Sequence, residues 1–158
     1  MVLYFAVKEV YQGEVPDRTC AELVQLIGQN CHGIVVDMTV KERYDHHLSE
    51  LLSQPQYQTP TALFLANVVY NPRKFIIETS EAPELPPSVI DQIPREDRYL
   101  VRAGLISRPI IVTAEERLLN GINKHRQVLE LTAITPAQAV ELAKENSPDG
   151  LAQQADLQ

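Results

Sequence analysis

The chain has 158 residues, which suits one domain able to bury about two-thirds of its unfolded surface in a single core. Hydrophobic residues make up 44% of the sequence and charged residues 22%, so general disorder is excluded. The net charge of −7 opposes a polyanionic partner, so contact with nucleic acid needs a local basic patch.

The first half of the chain alternates strand-like and helix-like patterns. The run MVLYFAV (1–7) is short, continuous and rich in β-forming residues, which predicts a buried strand. A helix is expected over 19–28 and a second strand at GIVV (33–36). The recurrence of apolar residues then predicts helices over 39–53 and 60–70.

The second half continues the alternation. Strands are predicted at KFII, RPIIVT and HRQVLEL, and three prolines make SEAPELPP a loop. Helices are predicted over 95–106 and 134–146, each with a proline at or just before its start, where proline is tolerated. Residues 147–158 are polar and are expected to form a flexible tail.

This order of elements predicts the fold class. Strands alternating with helices indicate an α/β, three-layer sandwich with a mostly parallel central sheet, here one domain over 1–146. In such sheets, sites form at the carboxyl ends of the strands. Chemistry is therefore expected where a strand passes into a helix.

The triplet Asp45, His46 and His47 invites the interpretation of a metal site. These residues fall in the predicted helix over 39–53, where consecutive side chains point about 100° apart and cannot converge on one ion. Phosphoesterases named for an Asp-His-His motif carry it on a loop after a strand. The sequence therefore favours a structural role, with His47 near the apolar stripe and Asp45 and His46 solvated.

Three acids are better placed for metal chemistry. Glu115 follows the strand PIIVT directly, and Asp97 and Glu42 fall in the first turns of their predicted helices. Such acids are typical of a carboxylate cluster for magnesium or manganese, which prefer oxygen ligands. Each also has a structural explanation, because Glu42 can complete a capping box with Thr39, and Asp97 and Glu115 can complement helix dipoles.

The order of these motifs resembles the PIN family of metal-dependent ribonucleases. The resemblance covers most of residues 1–145 and includes IVVD leading into ERYDHHL, then EDRYLVRAGL, IIVTAEERLL and ITPAQAVELA. Its most specific part is Asp97 followed eighteen residues later by Glu115 in IIVTAE. Family members arrange about four acids at the carboxyl edge of the sheet, where divalent ions activate water for phosphodiester hydrolysis.

The resemblance implies a function and its residues. The implied function is a magnesium- or manganese-dependent endoribonuclease, often the toxin of a toxin–antitoxin pair, acting on RNA and commonly forming homodimers. Exposed Phe64 or Val68 on the helix over 60–70 would suit such a dimer. The implied catalytic and metal-binding residues are Asp97, Glu115 and, less directly, Glu42, and the implied RNA contacts are Arg43, Arg95 and Arg98.

The sequence departs from the family pattern at three of the four acid positions. Tyr4 or Phe5 stands where the first strand should end in an acid, Arg43 stands at the second position, and Glu115 replaces the usual aspartate. Only Asp97 matches fully. These departures favour a second hypothesis from another class, a catalytically degenerate PIN-like module that binds RNA or a protein partner such as an antitoxin.

Other features bear on enzyme class and location. A small-molecule enzyme would need a deep apolar pocket at the strand ends, and the sequence has no glycine-rich phosphate loop or nucleophile elbow. Cys20 and Cys31 are too few for a disulfide framework, and VLYFAV lacks the basic region of a signal peptide. With no apolar run near 18 residues, the expectation is a reduced, cytoplasmic protein without a membrane span.

Overall fold

A computed structural model describes residues 18–30 and 32–145, apart from the side chain of Pro60. The predicted strand at 1–7 and the predicted tail at 147–158 lie outside the described residues. Within them the chain is α/β. Its elements are α1 (Thr19–Gln29), β1 (Ile34–Asp37), α2 (Met38–Leu52), α3 (Gln58–Phe64), β2 (Phe75–Glu78), α4 (Pro87–Ile90), α5 (Arg98–Ser107), β3 (Ile110–Val112), α6 (Glu116–Lys124), α7 (Arg126–Leu129), β4 (Thr132–Ile134) and α8 (Pro136–Glu145), with 3-10 turns at Pro55–Tyr57 and Arg95–Asp97 and a π-helical turn at Leu65–Val69.

The described strands form two separate parallel pairs. In the first, β1 pairs with β2 so that Ile34 lies opposite Phe75 and Asp37 opposite Glu78. In the second, β3 pairs with β4, beginning with Ile110 opposite Thr132. The predicted parallel pairing is confirmed, and the described strands stand as two pairs.

Helices cover both faces of the β3–β4 pair. Val112 and Ile134 pack with residues of α1 and α8, including Leu23 and Val140. Ile111, between the two ends of β3, instead packs against the main core cluster. This alternation follows from the two-residue period of a strand. The main cluster consists of Leu85, Val89, Ile93, Val101, Leu118, Ile122, Leu129, Leu131 and Ala133.

Helix α5 packs against both strand pairs. Its residues Tyr99 and Ala103 contact the cluster formed around β1 and β2. Leu100 packs against that cluster and against the main core. Gly104 is buried at the contact with β3, where an added Cβ would lie 3.0 Å from Ile111 Cδ1. A small residue at this position lets the helix approach the strand closely.

The prediction of a strand at HRQVLEL is wrong. Residues 126–129 form helix α7, and the strand comes later, at β4. Glu130 lies between them in the left-handed conformation, with φ 52°. Leu129 and Leu131 are both buried, so alternating apolar residues here belong to a helix end and a turn.

Two left-handed residues precede the strands of the β3–β4 pair. Arg108 ends α5 with φ 52°, and Glu130 ends α7 with the same φ. The Arg108 guanidinium forms an ion pair with the Glu130 carboxylate. Each residue lies two positions before its strand, so the ion pair joins equivalent points of the two strand entries.

The prediction that Phe64 and Val68 are exposed for dimer formation is wrong. Phe64 is 5% exposed and Val68 1%, and they form one cluster with Leu48. Their neighbours Leu63 and Tyr70 are exposed instead. The π-helical turn at Leu65–Val69 follows α3 directly, within the segment predicted as one helix.

Across residues 18–30 and 32–145, no helix combines the length and the apolarity that crossing a bilayer requires. Cys20 is buried in α1, at 6% exposure.

Two helical glycines give a matched test of this packing. An alanine Cβ at Gly121 would lie 2.6 Å from the backbone oxygen of Gln92, which cannot move away cheaply. We expect Gly121→Ala to lower the free energy of unfolding by about 1–3 kcal/mol. At Gly28 the nearest atom, Val68 Cγ2, would be 4.0 Å from an added Cβ. Gly28→Ala should therefore raise the free energy of unfolding by up to about 1 kcal/mol. Urea denaturation of both variants measures this, and equal effects would contradict the described packing around α6.

Candidate active site

Asp97 lies at the start of α5, as predicted. It ends the 3-10 turn Arg95–Asp97 and forms the N-cap of α5, although its side chain makes no capping hydrogen bond. The side chain is half-buried. Its carboxylate is therefore not used to satisfy the helix terminus and remains available for other interactions.

The charges around Asp97 show which predicted residues come together. Burial raises the pKa of the Asp97 carboxyl, and the negative charges of Glu96 and Glu115 raise it further. The positive charge of Arg43 acts in the opposite direction. The Asp97 carboxyl thus lies within electrostatic range of Glu115 and of Arg43.

Glu115 is positioned by the turn that follows β3. Thr113 is buried, with 9% of the residue exposed. Its hydroxyl accepts a hydrogen bond of 3.0 Å from the Glu115 backbone N–H. Glu115 is the N-cap residue of α6 and its side chain is exposed. The acid therefore stands at the carboxyl end of a strand, where the sequence predicted a site.

Glu42 does not join this pair. It is exposed on α2, and it is not among the charges that act on Asp97. Its expected capping box with Thr39 is wrong, because α2 begins earlier and Asp37 is its N-cap. The Asp37 Oδ1 atom accepts the Val40 N–H at 2.7 Å.

Arg43 stacks on an aromatic ring. Its guanidinium carbon lies 3.9 Å from the centre of the Tyr99 ring. The next residue, Tyr44, contacts Phe75 edge to face at 6.1 Å, and burial raises the pKa of its hydroxyl to about 12. Burial also raises the pKa of Tyr99, and the Arg43 charge opposes this. Adjacent residues of α2 thus fix one wall of the site and place a cation on it.

The other two arginines predicted as RNA contacts differ from each other. Arg95 is exposed in the turn before α5. Arg98 is partly buried, and its Nε donates to the Ile93 carbonyl at 3.4 Å. Arg95 is therefore accessible to a ligand, whereas Arg98 is partly engaged within the protein.

The Asp-His-His triplet lies on a helix, as predicted. Asp45 is exposed and pairs with Lys41 one turn earlier, at 2.5 Å. The rings of His46 and His47 lie 5.6 Å apart, edge to face. The triplet is part of the surface of α2.

The acids brought together are an incomplete set for a divalent ion. Among residues 18–30 and 32–145, no three histidine, cysteine, aspartate or glutamate side chains group closely enough to hold a metal. Asp97 and Glu115 supply two carboxylates, with the Arg43 cation acting on the first of them. Magnesium and manganese prefer oxygen-rich sites, so this described set does not fit such an ion well.

The sequence did not identify a pocket of about 340 Å³ at the carboxyl ends of β1 and β2. Asp37 and Glu78 line it, and each is the last residue of its strand. Tyr99 and Arg102 contribute from α5. The signal was present, because IVVD and FIIE both end in an acid at the end of the sheet where α/β sites form.

Comparison with known proteins assigns no family. No family model, characterised protein or solved structure matches this chain. The resemblance to PIN ribonucleases therefore rests on the sequence motifs. The function of the site is argued below from the geometry of its residues.

The opposing charges around Asp97 can be tested by titration. We expect Glu115→Gln to lower the pKa of the Asp97 carboxyl, because a neighbouring negative charge is removed. Arg43→Gln should raise it, because a neighbouring positive charge is removed. Carbon-detected NMR titration of the carboxyl group measures both changes. Glu78→Gln is the control that should leave this pKa unchanged, and a shift of the same sign in all three variants would contradict the arrangement.

Proposed function

We propose that the chain is a catalytically degenerate PIN-like module that binds single-stranded RNA at this edge. The observation that supports the proposal is the exposed Arg43 guanidinium stacked on Tyr99 beside Asp97. In the family pattern an acid stands at the Arg43 position. A cation there favours an anionic ligand and disfavours a metal ion.

The charge balance supports binding over catalysis. Two carboxylates, Asp97 and Glu115, would attract a divalent ion, and the Arg43 charge opposes that of Asp97. Loss of net negative charge lowers the affinity of an oxygen site for a hard cation. The Arg43 guanidinium is instead positioned by its stacking on the Tyr99 ring, with the Asp97 charge nearby.

The stacked arginine offers RNA two kinds of contact. A guanidinium on an aromatic ring presents a flat surface on which an unpaired base can stack, and its N–H groups can donate to phosphate. Arg95, exposed just before α5, extends the positive surface. Because the chain carries −7 overall, we expect a short footprint and binding that weakens strongly with salt.

We also propose that the fold has three layers, with helices on both faces of a central sheet. The contacts of α1 and α8 with one side of β3–β4, and of α5 with Ile111 on the other, support helix layers on both faces of a sheet. The contacts of α5 with both strand pairs support a common sheet edge, at which Asp97 and Glu115 meet.

A charge-neutral substitution tests RNA binding. We expect Arg43→Gln to weaken binding of a fluorescently labelled single-stranded RNA about tenfold and to reduce the salt dependence by about one phosphate contact. Fluorescence anisotropy at several salt concentrations measures both. The matched control is Arg73→Gln, which removes an exposed arginine before the amino end of β2, at the opposite end of that strand.

Two outcomes would contradict this proposal. Equal weakening in the Arg73 variant would show that any surface charge has the same effect. Binding that survives in the Arg43 variant with unchanged salt dependence would place the RNA elsewhere on the molecule.

A residual metal-dependent ribonuclease is the second candidate. It is favoured by the raised pKa of Asp97 beside Glu115, because a carboxyl pair that shares negative charge gains from a bound cation. The affinity of such a site for a cation is set by the two carboxylates against the opposing charge of Arg43.

Manganese titration separates the two candidates. For the degenerate module we expect no heat of binding at millimolar manganese and no RNA cleavage. Heat and cleavage that both disappear in Asp97→Asn, while Asp91→Asn behaves as the wild type, would instead establish the nuclease. Asp91 is an exposed acid after α4 and provides the same change of charge away from the site.

A further inference from the structure

The pocket of about 340 Å³ lies at the carboxyl ends of β1 and β2. Asp37 and Glu78 are register partners in this parallel pair, so they end neighbouring strands side by side. Tyr99 and Arg102, one helical turn apart on α5, line another wall. The rim is formed by the loop after β2, with Thr79, Ser80, Glu81 and Ala82.

Asp37 carries a buried carboxylate with unused hydrogen-bonding capacity. The residue is 7% exposed, and its Oδ1 accepts the Val40 N–H at 2.7 Å. Within the described part of the chain, its Oδ2 accepts no hydrogen bond from the protein. A carboxylate has about four acceptor positions, and Oδ2 is not among the fully buried polar atoms that lack a partner, so it is open to solvent and to a ligand. The free oxygen of a pocket-lining residue is therefore a place where a donor would be stabilised.

Glu78 adds a second uncompensated acid. It is partly buried, and within residues 18–30 and 32–145 its carboxylate has no ion pair or hydrogen bond with the protein. The cation on the wall of the pocket does not balance it. Arg102 donates to the carbonyls of Ala82 and Pro83, at 3.0 and 3.1 Å, and pairs with Glu84 at 2.9 Å.

The role of Arg102 is thus to hold the loop in place. Its guanidinium donors are directed to the loop, and they leave the negative charge at the strand ends unpaired. The same interactions fix the rim of the pocket against α5. A preformed, negatively charged pocket results.

We propose that this pocket binds the primary ammonium group of a small aliphatic amine, of the diamine or polyamine class. The three N–H donors of an ammonium match the free Oδ2 of Asp37 and the carboxylate of Glu78. Tyr99 supplies an apolar surface for the methylene chain. The hydroxyls of Thr79 and Ser80 offer further acceptors at the rim.

The size of the pocket favours an organic cation over a metal ion. Small-molecule pockets have volumes of about 300–1,000 Å³, whereas one water molecule occupies about 30 Å³. A hard divalent ion needs six or more oxygens close around it. The described residues provide two carboxylates facing a much larger space, and they contain no group of three metal-ligating side chains.

Calorimetric titration of the full chain with 1,4-diaminobutane and with spermidine tests this inference. We expect saturable binding at physiological ionic strength and about tenfold weaker binding in Asp37→Asn and in Glu78→Gln. Asparagine keeps an oxygen for the Val40 N–H, so α2 keeps its cap. Should the Asp37 variant fail to fold, Glu78→Gln is decisive, because its side chain has no protein partner to lose. Asp91→Asn is the matched control and should bind as the wild type does.

Three results would overturn the inference. The first is no binding, or equal weakening in Asp91→Asn. The second is full suppression by magnesium at matched ionic strength, which would indicate general counter-ion attraction. The third is binding of a blocked peptide with one lysine but not of 1,4-diaminobutane, which would assign the pocket to a protein side chain. The inference does not depend on RNA binding at Arg43.

Discussion

The packing of α5 across both parallel strand pairs is the constraint on which the rest of the structure depends. Leu100 belongs to both core clusters, and Gly104 allows the close approach to Ile111 that keeps the helix on β3. Because one rigid helix contacts both pairs, the residues of its first turns are fixed relative to both. Asp97, Tyr99 and the loop held by α5 therefore have defined positions at the carboxyl ends of the strands.

Two groups of acids lie where strands end or where α5 begins. In one group the Glu115 charge acts on Asp97, and in the other Asp37 and Glu78 end adjacent strands. Tyr99 is common to both, since it lines the pocket and carries the Arg43 guanidinium. The two ligands that we propose, an anion at the stacked arginine and an organic cation in the pocket, would therefore both lie beside Tyr99.

Sequence patterns predicted most elements and part of the site. The strands at IVV, FII and IIV and the long helices follow from apolar spacing, and the sequence also predicted Glu115 just after a strand and Asp97 at a helix start. The errors come from features without a local signal. A non-glycine left-handed residue, Glu130, ends a helix where alternating leucines favoured a strand. Asp37 caps α2, although Thr39 and Glu42 matched the capping pattern, because the preceding strand fixes where the helix begins.

The Arg108–Glu130 ion pair helps to select the register between β3 and β4. A slip of two residues would keep every side chain on the same face, so hydrophobic burial discriminates against it only weakly. The left-handed turns and the ion pair coincide only when Ile110 lies opposite Thr132. Exposed ion pairs contribute about 0–1 kcal/mol, which is small for stability. A difference near the upper end of this range still favours one alignment over another several-fold, so this exposed ion pair favours the observed register of β3 and β4.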